Sequence, residues 1–140
     1  MEIWQLTATE LRQKISKGEI SAREATESHL SRMDQVNGKL NAVAESCETE
    51  ALQEADVIDS KRHKGDELGA LAGVPVTVKI NVDQRGYATT NGIQLQKDLV
   101  AKIDNPVVNN LRKAGAIIIG RTNTPAFSLR WFTRNTIHGH

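Results

Sequence analysis

Apolar residues recur along the first 65 positions at the 3.6-residue spacing of amphipathic helices, and afterwards gather into short unbroken runs. Thr7 and Glu10 stand at capping-box spacing, with Leu6 and Leu11 placed as a hydrophobic staple, so a helix is predicted to begin there and to end at Gly18. Ser21 and Glu24 repeat the box. Leu30, Met33 and Val36 continue that second helix at helical spacing, and the Asn37–Gly38 pair predicts the turn that closes it. A third helix is predicted over 48–65, with a narrower inward stripe of Leu52, Ala55, Val57 and Ile58. Its last residues, KRHKGDE, carry basic groups neutralised by their own acids and predict a solvated helix end.

The texture changes at Gly69. GVPVTVK predicts a short buried strand with Pro75 near its start, where a missing N–H is tolerated. A loop follows through RGYATTNGI. DNPVVNNLRKAG then predicts a helix with Asp104 as N-cap, Pro106 in the first turn, Val107, Val108 and Leu111 facing inward, and Gly115 at the end. AIIIG is apolar and β-branched throughout, the mark of a strand covered on both faces. Strand, helix, strand in this order predicts an α/β fold with a right-handed βαβ crossover and a parallel pair. Two strands do not make a covered sheet, so further strands or a partner must complete it. The expected organisation is part of a single domain, 1–66 helical and 67–140 the start of the sheet core.

Composition narrows the chemistry. The 140 residues are 39% hydrophobic, 25% charged and only 4% aromatic, which predicts a globular core built from Leu, Ile, Val and Ala. A formal net charge of +1, with no basic stripe interleaved with aromatics, argues against nucleic acid as a partner. The opening residues lack the long apolar stretch of a signal peptide, and no run approaches a membrane span, so no membrane partner is expected. Cys47 stands alone; it forms no internal disulfide and anchors no Cys-rich zinc site, in keeping with a cytoplasmic location. His138 and His140 flank a glycine without the further ligands a metal needs. No G-x-G-x-x-G opens a helix and no phosphate-binding G-x-x-x-x-G-K-[ST] is present, so no cofactor is implied. None of the serines at 16, 21, 28, 31, 46, 60 and 128 lies in a G-x-S-x-G turn.

Lys79 ends the GVPVTVK run, and two readings of it stand side by side. One is a solvated strand end. The other is a functional base, because sites in open α/β sheets gather at the carboxyl ends of strands and a lysine between apolar strands loses solvation of its charged form.

Several segments in order resemble the amidase signature family: GALAGVPVTVKINVDQRGYATTNG, then DNPVVNNLRKAGAIIIGRTNTPAFS, preceded by the helical ELRQKISKGEISAREATESHLSRMDQVNGKLNAV. The resemblance covers nearly the whole chain. It implies an α/β/α architecture, incomplete here, with N-terminal helices packed on part of a large mixed sheet. It also implies hydrolysis of a small amide by a Ser–cis-Ser–Lys triad, without cofactor or metal. Lys79 matches the family's catalytic lysine, and Ser128 falls where the segment after the R-T-N turn approaches the acyl pocket; Phe127, Leu129 and Trp131 beside it serve equally as packing. Both triad serines and the glycine-rich oxyanion loop lie beyond the residues present, so these 140 residues are expected to be inactive alone.

Two positions depart from the family pattern: Ile80 stands where Asp usually follows the lysine, and Ala126 where Glu is common. The segment RTNTPAFSLRWFTRN is closer to free-standing amidases than to their tRNA-dependent amidotransferase counterparts. The expected partners are a small amide substrate and either the remainder of an amidase chain or a second copy met through the open sheet edge. The alternatives are a non-catalytic fragment or scaffold, and one subunit of a tRNA-dependent amidotransferase.

Overall fold

The computed structural model describes residues 2–140. A 3-10 turn at Ile3–Gln5 precedes α1 (Ala8–Lys17), α2 (Ala22–Leu40), β1 (Val43–Ser46), α3 (Glu48–Lys64), β2 (Pro75–Lys79), α4 (Pro106–Lys113) and β3 (Ile117–Thr122). Further 3-10 turns lie at Gln94–Gln96 and Ala126–Ser128.

Both predicted capping boxes form. The Thr7 hydroxyl accepts the Glu10 N–H at 3.2 Å while the Glu10 carboxylate accepts the Thr7 N–H at 2.8 Å. Ser21 and Glu24 exchange the same bonds at 3.0 and 2.7 Å. The start of α2 is closed further by α3: the Asp59 carboxylate accepts the N–H groups of Ala22 and Arg23 at 2.8 and 3.0 Å, satisfying donors that have no partner within the helix. Gly18, at φ 72°, ends α1 in the left-handed conformation that a side chain would oppose.

The second helix does not stop at Asn37–Gly38. It runs to Leu40 and ends at Asn41, left-handed at φ 48°. Gly38 costs about 1 kcal/mol relative to alanine in a helix. The Asn37 side chain offsets this by accepting the Val43 N–H at 2.8 Å and donating to the Val43 carbonyl at 2.9 Å, which ties the end of α2 to β1.

β3 is the central strand of a three-stranded sheet ordered β1-β3-β2. It pairs in parallel with β2, as the βαβ pattern predicts, and antiparallel with β1. The sequence pattern contains no sign of β1, a four-residue strand that lies inside the segment read as helical. One face of the sheet carries α1, α2 and α3 over Leu11, Ile15, Leu30, Val74, Ile117 and Ile119. Ala22 and Ala25 of α2 and Ala51 and Ala55 of α3 are fully buried in the same core. The inward stripe of α3 is therefore Ala51 and Ala55, with Leu52 and Ile58 half-buried, and Val57 points to solvent.

The other face buries Cys47, Val78, Val108 and Ile118 beneath α4, with Leu111 packed beside them. Val107, expected inside, is exposed. The N-cap of α4 is Asn105, whose side chain accepts the Val107 N–H at 2.9 Å; Asp104 instead accepts the Arg85 N–H at 2.7 Å and pairs with Arg112 at 3.4 Å. Pro106 occupies the first helical position, which makes the residue directly before it the cap.

A shift of register decides which face each later residue of β3 meets. Val76 pairs with Ile118, but Thr77 pairs with Gly120, so Ile119 is an extra residue on β3. Arg121 thereby faces α4 instead of sharing the face of Ile117 and Ile119. It is fully buried. Its guanidinium donates to Glu45 of β1 at 2.7 Å and to the carbonyls of Ala88 at 2.7 Å and Val82 at 3.1 Å, and it lies 5.4 Å from the Tyr87 ring centre.

Two tests follow from these contacts. Backbone N–H donation from Thr7 and Ser21 holds the Glu10 and Glu24 carboxyls below the ordinary glutamate value of 4.5. A depressed folded-state value contributes stability that is complete above the unfolded value and disappears as pH falls through the folded one. Urea midpoints should therefore decline below pH 4.5, less so in Glu10→Gln, which keeps the box without the charge. Arg121→Met should lower unfolding free energy by about 3 kcal/mol, toward the small end for a broken buried pair because Glu45 retains contact with water. Glu45→Gln should cost less in the same urea titration.

Candidate active site

The carboxyl ends of β2 and β3 carry the chemistry-bearing residues. Lys79 is the last residue of β2 and pairs with Thr122, the last of β3. The N–H of Ile80 donates to the Thr122 carbonyl at 3.0 Å, and the Lys79 carbonyl accepts the Val82 N–H at 2.9 Å, so the backbone on both sides of the lysine is fixed. Ile80 is fully buried; where the family pattern has a carboxylate, this chain places apolar surface next to the lysine. Lys79 itself is half-buried. Strand alternation puts it on the face of Thr77, opposite the buried Val78. Among the described residues no ion pair includes it.

Ser128 comes to the same end of the sheet by a different route. After β3 the chain turns through Asn123, Thr124 and Pro125, all buried. Phe127 and Ser128 follow in left-handed conformations at φ 51° and 59°, which cost non-glycine residues about 1–2 kcal/mol each. The surroundings hold that geometry: the Phe127 N–H donates to the Asn91 carbonyl and the Ser128 N–H to the Pro125 carbonyl, both at 2.9 Å. The Ser128 hydroxyl lies 2.9 Å from that of Thr124 and accepts from the Asn81 amide at 3.3 Å. Asn81 is two residues beyond Lys79, so the structure brings the ends of β2 and of the 123–128 turn together, though it joins Ser128 to Asn81 and not to the lysine. Ala126 is half-buried in this turn, and its carbonyl accepts the Leu129 N–H.

The T-T-x-G loop closes over the same turn. Gly92, at φ 69°, lies so close that a Cβ there would stand 3.0 Å from the Thr124 carbonyl oxygen and 3.2 Å from the Asn135 Cβ. Asp83 accepts from the Thr89 hydroxyl at 2.5 Å and braces the loop after β2. Asn81, Thr124 and Asn135 carry no sequence signal of their own; only their convergence marks them. His138 and His140 meet Asn41 through their carbonyls, and among the described residues no cluster of three or more His, Cys, Asp or Glu is placed to hold a metal.

A cleft of about 640 Å³ lies elsewhere, between α3 and α4. It is lined by Glu50, Glu54, Lys61, Arg85 and Arg112 among others and includes neither Lys79 nor Ser128. Burial pushes the Glu54 carboxyl up despite its pairing with Arg112. Arg112 pairs with Glu54 of α3 and with Asp104, contacts that tie α4 to α3.

A family model described as Amidase matches residues 24–140. The chain is similar to the indoleacetamide hydrolase of Bradyrhizobium diazoefficiens, 52% identical over 137 residues, which cover 98% of this chain and 26% of that protein. It is 37% identical to a glutamyl-tRNA(Gln) amidotransferase subunit of Moorella thermoacetica, over 97% of this chain and 28% of that one. The crystal structure of a bacterial aryl acylamidase of the amidase signature enzymes superposes with a TM-score of 0.92 at 28% identity, covering 99% of this chain and 29% of that structure. The chain thus spans little more than a quarter of the length of the curated relatives it matches. On the match over residues 24–140 and the shared fold, the chain belongs to the amidase signature family.

Proposed function

We propose that this chain supplies the general base of an amidase acting on a small arylacetamide, with Lys79 as that base and Ser128 lining the acyl side of the site. The observation that carries the reading is the position of Lys79: it ends a parallel strand with both neighbouring peptides hydrogen-bonded, and none of the ion pairs of the described residues engages it. A lysine accepts a proton only when its amine is neutral. In the triad chemistry implied by the family resemblance, the neutral amine takes a proton through a bridging serine from the nucleophilic serine. The nucleophile attacks the amide carbon, ammonia departs with the returned proton, and water cleaves the acyl-enzyme. Residues 1–140 contain no serine in a nucleophile turn, so in this reading both serines come from outside them.

The substrate class rests on the 52% identity to an indoleacetamide hydrolase, against 34–37% to the amidotransferase relatives. Phe127, Leu129, Trp131 and Phe132, exposed in the stretch of chain around Ser128, offer apolar surface to an aromatic acyl group. Membership of an amidotransferase assembly is the second reading, motivated by those same 34–37% identities. A reducing cytoplasm accords with the one thiol, Cys47, which is buried and free.

The test fuses residues 1–140 to the remaining part of the Bradyrhizobium indoleacetamide hydrolase. The 140 residues alone should release no ammonia from indoleacetamide, whereas the fused protein should. Lys79→Ala in the fusion should reduce kcat/KM by about 10⁴-fold or more, the scale on which removal of a base coupled to a nucleophile acts. Turnover that survives Lys79→Ala removes the lysine from the mechanism.

A further inference from the structure

The segment TRNTIHGH has no part in the chemistry described so far, yet it contains the most fully used side chain of the site. The Asn135 amide nitrogen donates to the Asn123 side-chain oxygen at 2.7 Å and to the Thr124 carbonyl at 2.8 Å. Its oxygen accepts the N–H groups of Ile137 and His138 at 2.9 and 2.7 Å. Two donors and two acceptors complete the capacity of an asparagine side chain. The Asn135 backbone N–H reaches the Gly139 carbonyl at 3.0 Å, closing residues 135–139 into a loop. Asn41, at the end of α2, donates to the carbonyls of His138 at 2.5 Å and His140 at 3.2 Å.

We propose that Asn135 is a positioning residue: its amide fixes the path of residues 135–140 across the carboxyl ends of the strands and, through Thr124, holds Ser128 against Asn81 beside Lys79. The inference rests on the reading of Lys79 as the base, because its consequence is where the following chain enters the site. An aspartate would set a carboxylate against the Thr124 carbonyl, which cannot turn to donate. A glutamine carries one methylene too many for the gap that Gly92 leaves over Asn135. The side chain touches no reacting atom, and its effect passes through the backbone at Thr124, Ile137 and His138.

Two measurements test this. In the 140-residue chain, amide hydrogen exchange at Ile137 and His138 should be slow in the parent and fast in Asn135→Ala, while Ile117–Gly120 keep their protection. In the fused enzyme, Asn135→Ala and the near-isosteric Asn135→Asp should lower kcat about a hundred-fold with KM within about twofold, because a misplacement of about 1 Å costs on that order. Unchanged exchange at Ile137 and His138, or a kcat within about twofold of the parent, overturns the proposal. Activity that survives Lys79→Ala sinks the reading of the base instead, and the exchange measurement decides for Asn135 even if the fusion gives no turnover.

Discussion

A guanidinium buried away from solvent is the constraint on which the rest of this structure depends. Taking a charge out of water costs several kcal/mol, and the cost is offset only when well-placed acceptors gather around the group. Around Arg121 the partners come from two places: Glu45 on β1, and the loop after β2, which presents the Val82 and Ala88 carbonyls and the Tyr87 ring. The four-residue β1 is held in place by its pairing with β3, by this ion pair and by the two bonds between the Asn37 side chain and Val43. The loop 82–88 has no regular structure and returns across the α4 face because two of its carbonyls have a donor there. The arginine thus welds an edge strand, a central strand and a loop into one unit, with Lys79 three residues before the first of those carbonyls.

The site follows from that rigidity. A parallel pair of strands leaves its carboxyl ends facing one side, where irregular backbone meets solvent and functional groups collect. Here the segments after β2 and β3 are tied to one another by side-chain amides and hydroxyls: Asn81 to Ser128, Ser128 to Thr124, Thr124 and Asn123 to Asn135. Two adjacent left-handed residues, Phe127 and Ser128, persist because these bonds over-determine them. These bonds fix the backbone that follows Lys79, while none of them engages its flexible four-carbon side chain. Ile80, buried directly after it, adds an apolar wall where the family pattern has a carboxylate.

Much of this was legible in the residues, because much of it is local. The capping boxes at Thr7 and Ser21, the glycine end of α1, the apolar run of β3 and the parallel βαβ unit each arise from interactions encoded by short-range patterns. The lysine at the end of β2 and the R-T-N turn were visible as motifs for the same reason. Where the reading departed from the structure, the deciding partner was tertiary. Asn37–Gly38 has the composition of a turn, yet Asn37 is held by Val43 and the helix continues. Asp104 has the composition of a cap, yet it answers Arg85 and Arg112 while Pro106 assigns the cap to Asn105. Val57 and Val107 match an inward stripe, yet each faces solvent because the core is met by Ala55 and Val108 beside them.

The amino-acid sequence alone thus determined the order of the four helices and the two parallel strands, the family, and the strand end at which Lys79 stands, since short-range periodicity and motif spacing encode them. Only the tertiary structure decided β1, the face that Arg121 meets and the convergence of Asn81, Thr124, Ser128 and Asn135. Counting by twos along β3 assigns Arg121 to the face of Ile117 and Ile119, and one extra residue at Ile119 reverses that assignment. Asn41 and His138 are 97 positions apart and bonded at 2.5 Å. No local pattern carries such a contact, because the free energy that selects it belongs to the packed sheet and not to either segment.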